Sequence, residues 1–150
     1  RSGAADAVQV IVNLFDQRAL ERLLPACREK GVAVVVRCPF DEGGLTGTLT
    51  PQTRFTPDDF RSYYFGGERL AETCRRAAAL SAALVPAHAA TLAEAALRFC
   101  LSFPAVATVI PGMRTAGHVD ANVKAADGRR LPPDVLAALK AHAWTRNFYR

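Results

Sequence analysis

An arginine stands at the point where a predicted strand gives way to a predicted helix. The segment VIPGMRT, residues 109–115, ends an apolar run, turns at Pro-Gly and places Arg114 and Thr115 at the start of a helix predicted over residues 115–126. The helix dipole disfavours a cation at this end unless an anion lies nearby. His118 and Asn122 are one turn apart on that helix and face the same way. The pattern favours an anion-binding site, and a solvated polar helix face is the alternative.

A second group of polar residues lies on and after two other apolar runs. Gln9 interrupts the first run, and a buried amide there would need hydrogen-bond partners, which neighbouring backbone could also supply. Arg37 follows four apolar residues in the second run, so we expect it at the open end of a strand. A salt bridge from Arg37 to Asp41 or Glu42 is the alternative role for this arginine.

The hydrophobic pattern predicts the elements that must position these residues. Apolar, β-branched runs predict buried strands over residues 7–15, 32–38 and 105–110. Helical spacing and capping residues predict helices over residues 17–30, 68–84, 91–102, 115–126 and 132–145. Strands that alternate with helices indicate an α/β fold with parallel strands. The intervening segment 39–67, rich in Gly, Thr, Pro and Asp, is longer than an ordinary connection and indicates a functional or flexible loop.

Composition limits the classes of protein that fit. The 150 residues are half hydrophobic and carry a formal net charge of +5, spread along the chain. Nucleic-acid binding is weakly supported because no dense basic tract is present, and a small anionic ligand explains the charge as well, so we expect no nucleic-acid partner. No run approaches the about 20 apolar residues of a membrane span, so we expect no membrane partner. The four cysteines include no CxxC pair, which indicates reduced thiols in a cytoplasmic protein rather than a zinc ribbon or a redox dithiol.

Three strands make a poor sheet by themselves, because both outer strands leave apolar edges exposed. The pattern therefore predicts a partial domain, a segment of a larger α/β chain, or an obligate oligomer. The start RSGAAD has no initiator Met, which is typical of a cut or processed end.

Several motifs agree in order and spacing with one family. The segments are VQVIVNLFDQRALERLLPACREKGVAVVVRCPFDEGGLTGTLT, DDFRSYYF, LAEAALRFCLSFPAVATVIPGMRT and DANV, which together run from Val8 to about Leu139. They resemble the C-terminal half of an aldo-keto reductase. The resemblance implies that residues 1–150 form a single partial domain, the last three βα units of a (β/α)8 TIM barrel, whose full length is about 250 residues.

The resemblance also implies a cofactor, NADP (NADPH), and roles for residues after the third strand. Arg114 would reach the 2′-phosphate that distinguishes NADP from NAD, because its planar fork suits phosphate oxygens. Thr115 would cap the helix or touch the same phosphate. His118 and Asn122 match positions near the 2′-phosphate and the adenine, and Gly112 would permit the tight turn before them.

Residues of the first two strands match the rest of the cofactor site. Gln9 matches a glutamine that hydrogen-bonds the nicotinamide carboxamide. Pro39, Phe40 and Gly44 belong to PFDEGGLTG, whose glycines would let backbone approach the pyrophosphate. Arg37 stands where the family has a tyrosine that stacks on the nicotinamide, and its guanidinium plane could stack there instead.

The family's catalytic Asp, Tyr, Lys and His lie on the first four strands, which these 150 residues do not match, so no catalytic residue is assigned. The resemblance implies the cofactor-binding part of an oxidoreductase that interconverts carbonyls and alcohols by hydride transfer. A small carbonyl substrate would bind once the other half is supplied. The alternative is a non-catalytic half-barrel that acts as an interaction or binding module, through self-assembly or a partner chain.

Overall fold

The computed structural model describes residues 5–146 and 148, and three parallel strands alternate with helices along them. The strands are β1 (Ala7–Ile11), β2 (Ala33–Arg37) and β3 (Val106–Ile110). The helices are α1 (Leu23–Lys30), α2 (Phe60–Tyr64), α3 (Arg69–Leu84), α4 (Leu92–Leu101), α5 (Ala116–Lys124) and α6 (Pro133–Leu139). Short 3-10 helices cover Arg18–Leu20, Asp41–Gly43 and Lys140–His142. The predicted α/β class with parallel strands is confirmed.

The sheet has the order β1-β2-β3, and both pairings are parallel. Gln9 lies opposite Val35, and Arg37 lies between Ile11 and Ile110. Parallel strands bring their carboxyl ends to one edge of the sheet, so the segments that follow β2 and β3 meet there.

The two faces of the sheet differ. Val34 and Val36 point from β2 into the core, where they cluster with Leu80, Ala95 and Phe99 of the helices. Side chains alternate along a strand, so Gln9 and Arg37 lie on the opposite face. Gln9 is exposed there in this chain, so the described residues do not supply the buried surroundings expected for its amide.

Strand β1 ends at Ile11, four residues before the predicted end at residue 15. The cause is local. The Asn13 side-chain oxygen accepts hydrogen bonds from the amides of Phe15 and Asp16, at 3.0 and 2.8 Å, and the Asn13 amide donates to the Asp16 carbonyl. An asparagine that closes a turn on its own backbone competes with the strand ladder. The apolar run continues past the strand because Val12, Leu14 and Phe15 are buried in the core.

The predicted helix over residues 17–30 is two pieces, the 3-10 turn Arg18–Leu20 and then α1. Pro25 lies in the first turn of α1, where the missing N–H would have had no partner within the helix. Gly31 ends α1 with φ of 65°, the left-handed conformation that glycine adopts at low cost.

The remaining connections are more structured than the sequence indicates. The segment 39–67 contains the 3-10 turn Asp41–Gly43 and helix α2 rather than continuous loop. In the last predicted helix, the α-helical part ends at Leu139, and a 3-10 turn over Lys140–His142 follows it. Within the described part of the chain, no helix has both the length and the apolar character needed to cross a membrane.

Candidate functional site

A cleft of about 590 Å³ opens at the carboxyl edge of the sheet. Its walls come from the turn after β2, the long loop with helix α2, the start of α4, and the segment from the end of β3 into α5. The lining residues are Cys38, Pro39, Phe40, Glu42, Gly43, Thr46, Thr48, Leu49, Arg61, Thr91, Ala93, Ile110, Gly112, Arg114, His118, Ala121 and Asn122. Parallel strand topology therefore brings together segments about 70 residues apart in the sequence.

The segment after β3 forms one wall through a capped helix start. Thr115 is the N-cap of α5, and its Oγ1 accepts a hydrogen bond of 3.2 Å from the His118 amide. The Arg114 amide donates to His118 Nδ1 at 3.4 Å, and Asn122 Nδ2 donates to the Gly112 carbonyl at 3.4 Å. These bonds hold the two helix side chains against the loop, and both line the cleft, so they face the same way as the spacing predicts.

This wall combines a cation with the positive end of a helix. The side chain of Arg114 is exposed and lines the cleft, directly before the cap of α5. The first amides of a helix have no acceptor within it, so those of Ala116 and Gly117 are available beside the arginine. This arrangement can hold an anion. Thr115 itself does not line the cleft, and its side chain caps α5 instead.

Gly112 does line the cleft, but its backbone is not left-handed, and a Cβ there would meet no atom within 4 Å. The predicted tight turn therefore does not depend on glycine. What Gly112 supplies is open backbone on the cleft wall.

The turn after β2 forms the opposite wall in an unusual conformation. Cys38, Asp41 and Glu42 have φ of 52°, 49° and 56°, in the left-handed region that residues with a Cβ rarely adopt. Asn13 Nδ2 holds the turn at its start by donating to the Cys38 carbonyl at 3.0 Å. Pro39 and Phe40 line the cleft, and their predicted contact with a cofactor stays a prediction.

Gly44 does not line the cleft, and it is buried beneath the turn. A Cβ on Gly44 would lie 2.7 Å from Thr73 Cγ2 and 2.9 Å from Asp41 Oδ2. The glycine is therefore required for packing, and its neighbour Gly43 is the one of the two that lines the cleft.

Two further predicted residues lie outside the cleft. Gln9 is on the exposed sheet face, in β1, and β2 separates this strand from β3. Arg37 is on the same face, and its Nη1 lies 3.4 Å from Cys38 Sγ. Of the two carboxylates considered as alternative partners of Arg37, Asp41 pairs instead with Arg146, and the pairing of Arg37 with Glu42 stays a prediction.

The Asp41 pair is part of a buried network that sequence reasoning missed. Arg146 Nε and Nη2 donate to the two carboxylate oxygens of Asp41 at 3.0 and 2.8 Å, and both side chains are 1% exposed. The Tyr64 hydroxyl donates to Asp41 Oδ1 at 2.7 Å, and Arg146 Nη2 also reaches Thr73 Oγ1 at 3.3 Å. Burial, reinforced by the Asp41 charge, raises the pKa of Tyr64, so its hydroxyl stays protonated and donates.

Arg61 is a cleft residue that the sequence did not single out. Its guanidinium pairs with Asp59 at 2.6 Å while it lines the same cleft as Arg114. The hydrogen bonds from the Arg61 side chain and amide lower the pKa of Asp59 to about 2, and the charge of Arg114 acts in the same direction. Two arginines therefore influence one region of the cleft. Arg61 left no periodic signal in the sequence, because it lies in a hydroxyl-rich and aromatic segment.

The thiols and acidic groups of the described residues are dispersed rather than clustered. No cluster of three or more His, Cys, Asp or Glu side chains there could hold a metal ion. The cysteines are free, and burial raises the pKa of Cys100 to about 12, which makes its thiol unreactive.

Comparisons with known proteins point to one family. Residues 4–143 match the Aldo/keto reductase family. An oxidoreductase of Bacillus subtilis, YqkF, is 30% identical over 138 residues, which is 91% of this chain and 42% of that protein. The NADH-specific methylglyoxal reductase of Escherichia coli is 36% identical over 67 residues, 45% of this chain and 18% of that protein.

Two solved structures have the same fold. The glycerol dehydrogenase AKR11B4 of Gluconobacter oxydans superposes with a TM-score of 0.80 at 22% identity, over 91% of this chain and 41% of that one. The apo form of aldo-keto reductase AKR11C1 from Bacillus halodurans gives 0.69 at 26% identity, over 97% and 45%. This chain thus spans less than half the length of these proteins.

Proposed function

Because this chain belongs to the aldo/keto reductase family, we propose that it forms the cofactor-binding part of an NADPH-dependent carbonyl reductase. The cleft would take the adenosine 2′-phosphate side of the dinucleotide. The observation behind this proposal is the position of Arg114, which lines the cleft directly before the N-cap of α5. A phosphate there would meet a guanidinium and the first helix amides together.

The other cleft residues fit an anionic nucleotide. His118 and Asn122 extend the wall beyond Arg114, where an adenine would lie, and Arg61 adds a second cation. The open backbone at Gly43 and the flat side chain of Phe40 leave room for the pyrophosphate and the rest of the dinucleotide. Glu42 is the acidic member of the lining and tempers the positive charge there.

We propose hydride transfer for the whole protein rather than for these residues by themselves. NADPH supplies the hydride that reduces a carbonyl to an alcohol. This chain's residues would bind and orient the cofactor, and the sequence places no catalytic Asp, Tyr, Lys and His set among them. The names of the relatives, an oxidoreductase and a methylglyoxal reductase, support the reaction class.

The first prediction concerns the choice between NADPH and NADH. Replacing Arg114 with Gln removes the charge and the guanidinium fork while keeping a shorter polar side chain. We expect the dissociation constant for NADPH to rise about tenfold or more, because charge-assisted bonds to phosphate are the strong ones. The constant for NADH, which lacks the 2′-phosphate, should change by less than about threefold. Titration followed by NAD(P)H fluorescence measures both.

Arg130→Gln is the matched control, since Arg130 is an exposed arginine outside the cleft. It should leave both constants at their wild-type values. If Arg114→Gln binds NADPH as tightly as the wild type does, the proposed phosphate site is wrong.

A second candidate function rests on a different observation. The outer edges of β1 and β3 pair with no strand in the described ranges, and Ile110, Met113, Val119 and Val123 are exposed beside the β3 edge and on α5. Apolar residues next to an open strand edge favour pairing with another chain. An interaction module that assembles with itself or with a complementing chain is therefore the alternative to cofactor binding.

A further inference from the structure

The buried arginine of the C-terminal segment lies outside the residues that match the family. Arg146 follows the matched range 4–143, yet its side chain is 1% exposed. Its guanidinium lies 4.0 Å from the centre of the Trp144 ring, with Tyr64 and Phe148 at 5.0 and 4.7 Å. The aromatic surroundings hold the cation in place by cation–π attraction, while the fork reaches one carboxylate.

That carboxylate belongs to the turn that forms one wall of the cleft. Asp41 points into the core, whereas its neighbours Phe40, Glu42 and Gly43 line the cleft. The amides of Gly43, Gly44 and Leu45 bond within the turn, to the Phe40 and Asp41 carbonyls. Moving Asp41 would therefore move the cleft wall with it.

The turn needs an external support to keep this shape. Left-handed conformations at Cys38, Asp41 and Glu42 are disfavoured and persist only where the surroundings determine them. Asn13 holds one end of the turn, and the Arg146 fork holds Asp41 in the middle. Contacts from α3 and α2, through Thr73 and Tyr64, complete the support.

A buried ion pair is an inefficient source of stability. Desolvating both charges offsets much of their attraction, and apolar replacements of such pairs are often neutral. Arg146 Nη1 is buried and has no hydrogen-bond partner in the described part of the chain, which adds to this cost. A pair kept at this cost is better explained by the single geometry that it imposes.

We propose that Arg146 is a positioning residue for the cleft: it clamps Asp41 and so fixes the turn of residues 38–46 against the bound dinucleotide. The identity of the ligand rests on the proposed function above. The C-terminal segment would then control affinity for the part of the cofactor that meets this turn, but not for the phosphate held by Arg114. Lysine could not replace the arginine, since it offers no planar fork.

The test separates the two walls of the cleft with two probes. NADPH spans both walls, whereas adenosine 2′-monophosphate reaches only the Arg114 wall. In Arg146→Lys we expect the dissociation constant for NADPH to rise about tenfold, within the usual range of coupling between sites. The constant for adenosine 2′-monophosphate should stay within about twofold, as for an independent site.

The matched control is Arg98→Lys. Arg98 is another buried arginine fork, 2% exposed and paired with Glu94 and Asp127, but it does not line the cleft or touch the turn. Arg98→Lys should lower the free energy of unfolding without changing the dissociation constant for either probe. Both Arg98→Lys and Arg146→Lys are measured under conditions where circular dichroism shows that they are folded. Equal losses for the two probes in Arg146→Lys, or no loss for NADPH, would overturn the proposal.

Two further measurements keep the proposal testable if the single variant folds poorly. The double variant Asp41→Asn/Arg146→Met removes both charges, and it should recover stability but not NADPH affinity. Amide hydrogen exchange in residues 43–46 should be about tenfold faster in Arg146→Lys than in Arg98→Lys. Unchanged exchange overturns the proposal. If the wild type binds neither probe, the proposed function fails by itself, and the exchange rates alone decide the role of Arg146.

Discussion

At the scale of single residues, the clearest case of a side chain that the fold cannot accept is at Gly44. Its missing Cβ leaves room for Thr73 Cγ2 and Asp41 Oδ2, at 2.7 and 2.9 Å from where that atom would lie. Both neighbours are buried, and Asp41 is held by Arg146, so neither can move far. The glycine is thus needed for the buried network to close beneath the turn.

The close packing around Gly44 leads to the second prediction, which concerns stability. Gly44→Ala should lower the free energy of unfolding by about 1–3 kcal/mol, the usual cost of overpacking a closed site. Gly112→Ala should change it by less than about 0.5 kcal/mol, because a Cβ there meets nothing within 4 Å and the backbone is not left-handed. Urea denaturation of the two variants measures both. Equal stabilities would show that the turn and Thr73 rearrange freely.

At the scale of elements, α4 and α5 begin alike but are stabilised differently. Both have a threonine N-cap whose Oγ1 accepts from the third amide of the helix, Thr91 from Glu94 and Thr115 from His118. Helix α4 buries most of its residues, whereas no residue of α5 is buried. The start of α5, which forms one wall of the cleft, therefore depends on its cap far more than α4 does.

The third prediction follows from this difference. Thr115→Ala removes a cap worth about 1 kcal/mol, so amides of residues 118–122 should exchange about fivefold faster while global stability changes little. Thr115→Ser should preserve the exchange rates, because serine caps as well as threonine does. In Thr91→Ala the loss of the cap should instead lower the free energy of global unfolding, because α4 is packed into the core. Unchanged exchange in α5 would contradict the importance given to this cap.

At the scale of the whole molecule, the described sheet has two outer edges and an apolar surface beside one of them. Val123 is 64% exposed on α5, close in sequence to the equally apolar Val119. The chain also spans less than half of the relatives that it matches. Open edges are what a partial barrel should show, because its outer strands lack the neighbours that close a full barrel. The apolar surface beside the β3 edge then needs a covering partner.

The fourth prediction tests self-assembly, the alternative function. If the chain acts as an interaction module, light scattering after size exclusion should give a mass above the 16.1 kDa of one chain. Val123→Glu should shift the mass towards one chain, because a desolvated carboxylate in an apolar contact is costly. Leu23→Glu is the control, since Leu23 is 38% exposed on α1 and lies outside this surface. A wild-type monomer would rule out self-assembly without affecting cofactor binding.

Local patterns in the sequence determined most of the elements. The predicted strands 32–38 and 105–110 agree with β2 and β3 to within one residue at each end. Thr91 and Thr115 cap α4 and α5 as predicted, because a cap requires only residues three positions apart. The same locality placed Arg114, His118 and Asn122 on one wall, although their binding role remains a prediction.

Only the tertiary structure decided which residues share the cleft and which support it. Alternation along β1 and β2 reveals neither the register between the strands nor which face meets the helices, so the sequence could not show that Gln9 and Arg37 lie outside the cleft. Gly44 and Gly43 are adjacent, yet one packs and the other lines the cleft. Arg146 and Asp41 are separated by 105 residues and meet in the core. Sequence patterns report on neighbours within a few turns, whereas such contacts are set by the path of the whole chain.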